Sequence, residues 1–334
     1  MFLEFILVFI VSLGLVSVVK NNADKLGLVD IPNERSIHYR HIARGAGIGF
    51  YLAVAIVLPF FYFDLIVTHI WTFIAIFLVF IVGVLDDHRD TSPNAKFFVI
   101  MFSTVLLYID NFVIDDLGVF FGFDLSLGWL AIPFTMFAVV GFTNALNLID
   151  GLDGLAATVS IVILGSLFSV GYMYDDLFMM LISGAFISAL FGFLVFNWHP
   201  ASVFMGDSGS LTLGFVISVL SIKSLAYLPT VSILFIAAMP ILDTLVAMLR
   251  RKINGRSMLS ADRCHVHHVL RHFFAEDTRK TVLFLGLFQA IYSLTGLQMV
   301  KDMDEGFLLI LFLLNVVFLY MLLAAMIKKQ KRKC

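Results

Sequence analysis

Long apolar runs alternate with short polar connections along the whole chain. Runs near the roughly 20 residues that a bilayer-crossing helix needs recur at about 2–19, 45–63, 68–85, 96–110, 128–146, 152–172, 178–196, 208–226, 229–249, 281–299 and 306–327. They predict an all-α fold: a polytopic integral membrane protein of about eleven transmembrane helices. Glu4 is the only charge in the first run, which lacks a basic start and a small-residue cleavage site, so it reads as a retained span. One transmembrane domain over 1–334 is expected, with a polar loop at 250–280 and a basic tail at 328–334. No repeat of fixed period interrupts it.

Composition sharpens this picture. The chain is 60% hydrophobic and 14% charged, with 36 Phe, well beyond the roughly 45–50% apolar content of soluble domains. The two cysteines, Cys264 and Cys334, are too few for a disulfide framework. Of the 22 Lys and Arg, all but Lys223 and Lys301 fall in 20–44, 86–96, 250–280 and 328–333. Those connections share one side if the N-terminus is outside, and the positive-inside rule makes that side cytoplasmic. The opposite connections, 110–124 and 302–305, are acidic.

Polar motifs gather on the basic side. They are Asn33 to Gly47 in the first loop, Asp86-Asp87 closing the third span, Asn144 to Ala156 between the fifth and sixth, Asn197 to Ser210 between the seventh and eighth, and His265-Val-His267-His268 in the long loop. Asn144, Asn147, Asp150 and Asp153 fall at steps of three, so neighbouring pairs share a helix face, yet one straight helix cannot aim all four at one point. Gly151 and Gly154 allow a break there. Ionised carboxylates inside a bilayer cost about 2.5–3.5 kcal/mol each, which argues for a task or a place at the membrane edge. Asp86 and Asp87 end a helix, where the dipole disfavours them, so a cation is needed. Hard carboxylates with open positions suit Mg²⁺ or Mn²⁺ shared with phosphate oxygens. Asp207 opens the eighth span, a placement that suits an N-cap but, with the other carboxylates on the same face, points rather to a receiver of phosphate or metal-bound phosphate. For the histidines, Zn²⁺ lacks an ordered Cys set; beside Arg250, Arg251, Arg256, Arg263 and Arg271 they fit phosphate hydrogen bonding better.

Together, Leu85-Asp86-Asp87, Asn147-Leu-Ile-Asp150-Gly-Leu-Asp153-Gly154, Phe204-Met-Gly-Asp207-Ser-Gly-Ser and His265-Val-His267-His268 resemble the motif set of the polyprenyl-phosphate N-acetylhexosamine-1-phosphate transferases, glycosyltransferase family 4. The likeness is closest to the WecA-like undecaprenyl-phosphate GlcNAc-1-phosphate transferases. It implies transfer of a HexNAc-1-phosphate, GlcNAc by default with QuiNAc, FucNAc or GalNAc open, from a UDP-sugar to undecaprenyl phosphate, releasing UMP, with Mg²⁺ as cofactor and Mn²⁺ as the alternative. It also implies catalytic Asp86, Asp87, Asp207, His265, His267 and His268, with Asp207 on the metal. Asn147, Asp150, Asp153, Asn197, Phe204, Arg263 and Arg271 would bind substrate. The setting implied is the bacterial cytoplasmic (inner) membrane, N-terminus outside and C-terminus cytoplasmic, among membrane lipids, with a homodimer open and no nucleic-acid partner. The alternatives are a phospho-N-acetylmuramoyl-pentapeptide transferase and, in another class, a multispan anion or nucleotide-sugar transporter. The missing repeat and the lack of a midplane acid argue against the transporter.

Overall fold

The structure is a computed structural model describing residues 1–30, 41–258, 260 and 264–329. Each predicted apolar stretch carries a helix. The order is α1 (Phe2–Leu26), β1 (Val29–Asp30), β2 (Ile42–Ala43), α2 (Gly47–Phe61), α3 (Phe63–Thr68), α4 (Ile70–Arg89), α5 (Pro93–Ile109), β3 (Asp116–Phe120), β4 (Phe123–Ser126), α6 (Ala131–Ile149) and α7 (Leu155–Met173). Then follow α8 (Leu177–Asn197), α9 (Asp207–Ser224), α10 (Ser232–Ile236), α11 (Ala238–Ile253), α12 (Val266–Phe273), α13 (Thr278–Leu297) and α14 (Glu305–Lys329). Among the described residues, seven helical stretches are long and apolar enough to cross a membrane, and α2 and α5 are apolar but shorter. The protein is an all-α, polytopic membrane protein; among the described residues its strands form two antiparallel pairs, β1–β2 and β3–β4.

Local chemistry sets several helix starts. Ser92 caps α5 by accepting from the Ala95 N–H, with Pro93 in the first turn; Asp176 and Asp277 cap α8 and α13 the same way.

The ninth predicted run, 229–249, is not one helix. It breaks at Ala237 into α10 and α11, because Gln289 of α13 reaches in. The Gln289 amide donates to Ile236 O at 2.7 Å and accepts from Met239 N–H at 2.8 Å. Ser293 adds a bond to Ile236 O. Backbone groups freed inside a bundle need protein partners, and Gln289 supplies them.

Helix α9 is the axis of the fold. It packs on α2, α4, α6, α7 and α8, and its residues are buried except Asp207 and Lys223. Its hydroxyls survive burial by bonding back one turn, as Thr212 does to Ser208 O at 2.6 Å and Ser218 to Gly214 O at 2.8 Å. Two glycines let neighbouring backbones touch its first turn: a Cβ on Gly47 would lie 2.1 Å from Gly209 N, and one on Gly83 would lie 2.6 Å from Asp207 O. Gly47→Ala is therefore expected to abolish the monodisperse folded peak in detergent size-exclusion chromatography. Gly14→Ala, whose added methyl meets nothing within 4 Å, should leave that peak unchanged.

Candidate active site

The first turn of α9 carries no side-chain cap of its own. Its N-cap is Gly206, at φ 73° and ψ 173°, a conformation that favours glycine. The cap comes from another helix: Asp87, in the last turn of α4, accepts from the N–H of Asp207 at 2.8 Å and of Ser208 at 3.0 Å. Asp87 is only 3% exposed, and both its oxygens are engaged there. The sequence reading made Asp207 the alternative N-cap; in the structure Asp207 stands one residue inside the helix and its carboxylate points to other partners.

Those partners define the site. Lys96, in the first turns of α5, lies 2.8 Å from Asp207 Oδ2 and 3.2 Å from Asp86 Oδ1. The two carboxylates are within interaction range of each other across this ammonium. Thr91 holds Asp86 from behind, donating from its N–H and its hydroxyl to Oδ1 at 2.8 and 2.7 Å. The Asn147 amide donates to Asp207 Oδ1 at 3.0 Å and to Ser210 Oγ at 2.8 Å. Asp86, Asp87, Asn147 and Asp207, from three motifs far apart in sequence, thus meet around one helix N-terminus. The helix dipole and the lysine both favour an anion there.

Helix α6 ends at Ile149, which puts Asp150 and Asp153 in the turn before α7. Asp150 makes no hydrogen bond through its carboxylate among the described residues. Burial first, and then the Asp207, Asp87 and Asp153 charges, push it up to about 7. Asp153 and Asn197 are committed elsewhere. Asp153 Oδ2 lies 2.6 Å from His199 Nδ1 and accepts from Ala201 N–H at 3.0 Å. Asn197 accepts from Gly154 N–H at 2.9 Å and donates to Val203 O at 2.8 Å. These bonds stitch the Asp150–Gly154 turn to the α8–α9 loop, whose Phe204 N–H and C=O in turn engage Ala43 and Ala46.

The histidine loop closes over this turn. His265 precedes α12 and its Nδ1 lies 2.6 Å from Asp243 Oδ2 of α11. The His267 ring stacks against His265 at 5.8 Å and 15°, and lies 4.2 Å from the His268 ring. His267 Nε2 would sit 2.6 Å from a Cβ on Gly151, so it presses on the turn that carries Asp150. Neither His267 ring nitrogen has a hydrogen-bond partner among the described residues, and burial pushes its pKa down to about 3, which keeps it neutral. Arg271 pairs at 3.3 Å with Glu276 rather than with a site carboxylate, while its Nε stays buried without a partner. Arg263 lies outside the described residues, as do Asn33, Arg35, His38 and Arg40 of the first loop; Arg44 of that loop pairs loosely with Asp90 at 3.6 Å.

Two site residues escaped the sequence reading. Lys96 counted only toward charge balance, although a lysine in a first helical turn opposes the dipole and so signals a nearby anion. Asp243 lies inside the ninth predicted span, 229–249, where the sequence reading assigned it no role. Its bond to His265 places it against the 250–280 loop.

Carboxylates, a lysine and a helix N-terminus converging in this way in a multi-pass membrane protein make a place where an anionic ligand and a cation could meet. The comparisons name its kind. A glycosyl transferase family 4 model matches residues 69–225. The chain is 33% identical over 325 residues to a probable undecaprenyl-phosphate N-acetylglucosaminyl 1-phosphate transferase of Bacillus subtilis (strain 168), covering 94% of this chain and 90% of that protein. It is 31% identical to the undecaprenyl-phosphate alpha-N-acetylglucosaminyl 1-phosphate transferase of Yersinia pestis, covering 93% and 88%. For the protein of the same description in Escherichia coli (strain K12) the identity is 30%, covering 89% and 84%. The chain belongs to glycosyl transferase family 4.

Two measurements check this site. An acid whose folded pKa is raised contributes stability that is full below its unfolded value near 4 and is lost as pH rises through about 7. Asp150→Asn should therefore raise the melting temperature at pH 8 by about 2 °C or more, with the gain shrinking toward pH 5. Asp87→Ala should lower it by an amount equivalent to about 1–3 kcal/mol, the cost of stranding buried N–H groups, whereas Asp86→Asn should melt close to wild type.

Proposed function

We propose that the protein transfers GlcNAc-1-phosphate from UDP-GlcNAc to undecaprenyl phosphate, releasing UMP, at the cytoplasmic face of the bacterial inner membrane. The observation that carries this reading is the Asp86–Lys96–Asp207 bridge at the N-terminus of α9. The described relatives act on undecaprenyl phosphate with an N-acetylglucosaminyl 1-phosphate group, and the match spans nearly the whole chain. The basic connections around the site support the cytoplasmic side, with the N-terminus outside.

The residues fit a Mg²⁺ ion. Mg²⁺ is usually held by one or two carboxylates plus substrate phosphates rather than by a complete protein cage. Asp207 and Asp86 are such a pair, already sharing one cation, and no group of three or more acidic, His or Cys ligands exists among the described residues. Asp207, with Asp86 beside it, would hold the metal, which when bound offsets charge on the diphosphate and on departing UMP.

The chain's own residues do the rest. Lys96 holds phosphate oxygens, and the dipole of α9, at an N-terminus whose first N–H groups Asp87 occupies, favours negative charge beside it. Asp87 holds that N-terminus, and so Asp207, in place. An oxygen of the lipid phosphate attacks the donor's β-phosphorus; that P–O bond forms while the bond from the β-phosphorus to the oxygen bridging to the α-phosphorus breaks. The bridging oxygen leaves on UMP. A phosphate monoester is largely ionised at neutral pH, its second pKa being near 6, so Asp86 mainly positions the acceptor and takes any residual proton. The Asp150–Gly154 turn, Asn197 and Phe204 shape the nucleotide pocket, and the histidine loop covers the diphosphate.

Purified protein should release UMP from UDP-GlcNAc only when Mg²⁺ and undecaprenyl phosphate are both present. Preference for UDP-GalNAc would reassign the sugar. Lys96→Gln should lower turnover by roughly 10²-fold. In rapid-quench experiments without the acceptor, direct attack gives no UMP; a stoichiometric burst would mean a covalent aspartyl intermediate instead.

A further inference from the structure

The start of α12, in the 250–280 loop, is held by a buried carboxylate of α11. Asp243, on α11, is 1% exposed. Its Oδ2 lies 2.6 Å from His265 Nδ1, and its Oδ1 accepts from the Val266 N–H at 2.6 Å. Val266 is the first residue of α12, so one carboxylate caps that helix and grips the ring just before it. Nearby, Arg250 of the same helix α11 donates to Cys264 O, fixing the residue on the other side of His265. Three consecutive residues of the loop, 264 to 266, are thus pinned to α11.

An ionised carboxylate only accepts hydrogen bonds. With the Val266 N–H also on it, Asp243 favours the tautomer of His265 with the proton on Nδ1, leaving Nε2 as the ring nitrogen away from the carboxylate. Nε2 lies across the ring from α11. The ring's near-parallel neighbour, His267, presses on Gly151 beside Asp150. The clamp therefore sets both the tautomer of His265 and the seat of the histidine loop over the acidic turn.

We propose that Asp243 is a positioning residue of the transfer reaction, acting only through His265, whose Nε2 it presents to the donor's diphosphate; the identity of that ligand rests on the transfer reading above. Carboxylates that orient an imidazole from behind typically matter by about 10–100-fold when removed. An amide at this position can offer its oxygen or its NH₂ to the ring, so the tautomer is no longer dictated.

The test is a double-mutant cycle joined to a spectroscopic measurement. Turnover of UDP-GlcNAc to UMP is measured for Asp243→Asn, His265→Gln and the pair. Asp243→Asn should lose about 10–100-fold, the pair should be no slower than His265→Gln alone, and Asp243→Glu should recover part of the loss. UMP affinity should stay unchanged in all of them, because a general loss of structure would lower it. Losses that multiply in the pair, or an Asp243→Asn enzyme of wild-type rate, would overturn the proposal. Independently, ¹⁵N-histidine spectra of the wild-type protein, assigned with His265→Gln, should show Nδ1 protonated throughout. A neutral His265 carrying its proton on Nε2 would overturn the clamp even if Asp243→Asn fails to fold. Absence of UMP release by the wild type would count against the transfer reading alone, since the tautomer is read without any substrate.

Discussion

A helix N-terminus inside a membrane bundle leaves N–H groups that water does not reach, and something in the protein must accept from them. Here the acceptor is repeatedly a carboxylate from a different helix. Asp87 of α4 caps α9, Asp243 of α11 caps α12, and Glu305 of α14 accepts from Thr230 and Val231 N–H just before α10. Each contact ties two elements together and places a negative charge where the helix dipole welcomes it. Removing the α9 cap would unseat the axis on which α2, α4 and α6 pack, and with it Asp207.

The same device builds the electrostatics of the site. Once Asp87 is spent on the cap, Asp86, Asp150 and Asp207 remain as acids around it, and Lys96 is the one cation placed between two of them. Carboxylates this close cannot all stay ionised at ordinary pKa values, and Asp150, with no hydrogen bond to its carboxylate, takes the upward shift. Such a site holds more acceptors than the protein's own donors satisfy, so it has standing demand for cation. A metal brought with a diphosphate answers that demand without further rearrangement of the fold.

Rigidity and mobility are divided accordingly. The α9 turn is held by backbone-to-backbone approach at Gly47 and Gly83 and by the Asp87 cap, and it has little freedom. The histidine loop is fixed at Asp243 but carries His267, a buried ring pressed on Gly151 whose two nitrogens have no partner among the described residues. Leaving buried polar atoms unpaired costs about 1–3 kcal/mol each, so this seat is the least satisfied part of the site and the part from which a ligand gains most by supplying hydrogen bonds.

Much of this was legible in the chain itself. Apolar runs of bilayer length specify helices because no other single-segment structure satisfies its backbone in lipid, and every run was found helical. Asp86, Asp87, Asn147, Asp150 and Asp207 stood out because polar groups at the ends of apolar runs are costly without a purpose. Side-chain spacing did not reveal which oxygen faces which donor. Asp86 and Asp87 look equivalent in sequence, and only packing against α9 makes one a cap and the other a neighbour of Lys96. Asn197 and Asp153 read as substrate-binding groups, and only the folded chain shows that they also join two loops. Lys96, Asp243 and Gln289 were hidden for the same reason: their partners Asp207, His265 and Met239 lie 111, 22 and 50 positions away in the chain, and such pairings exist only once the helices have packed.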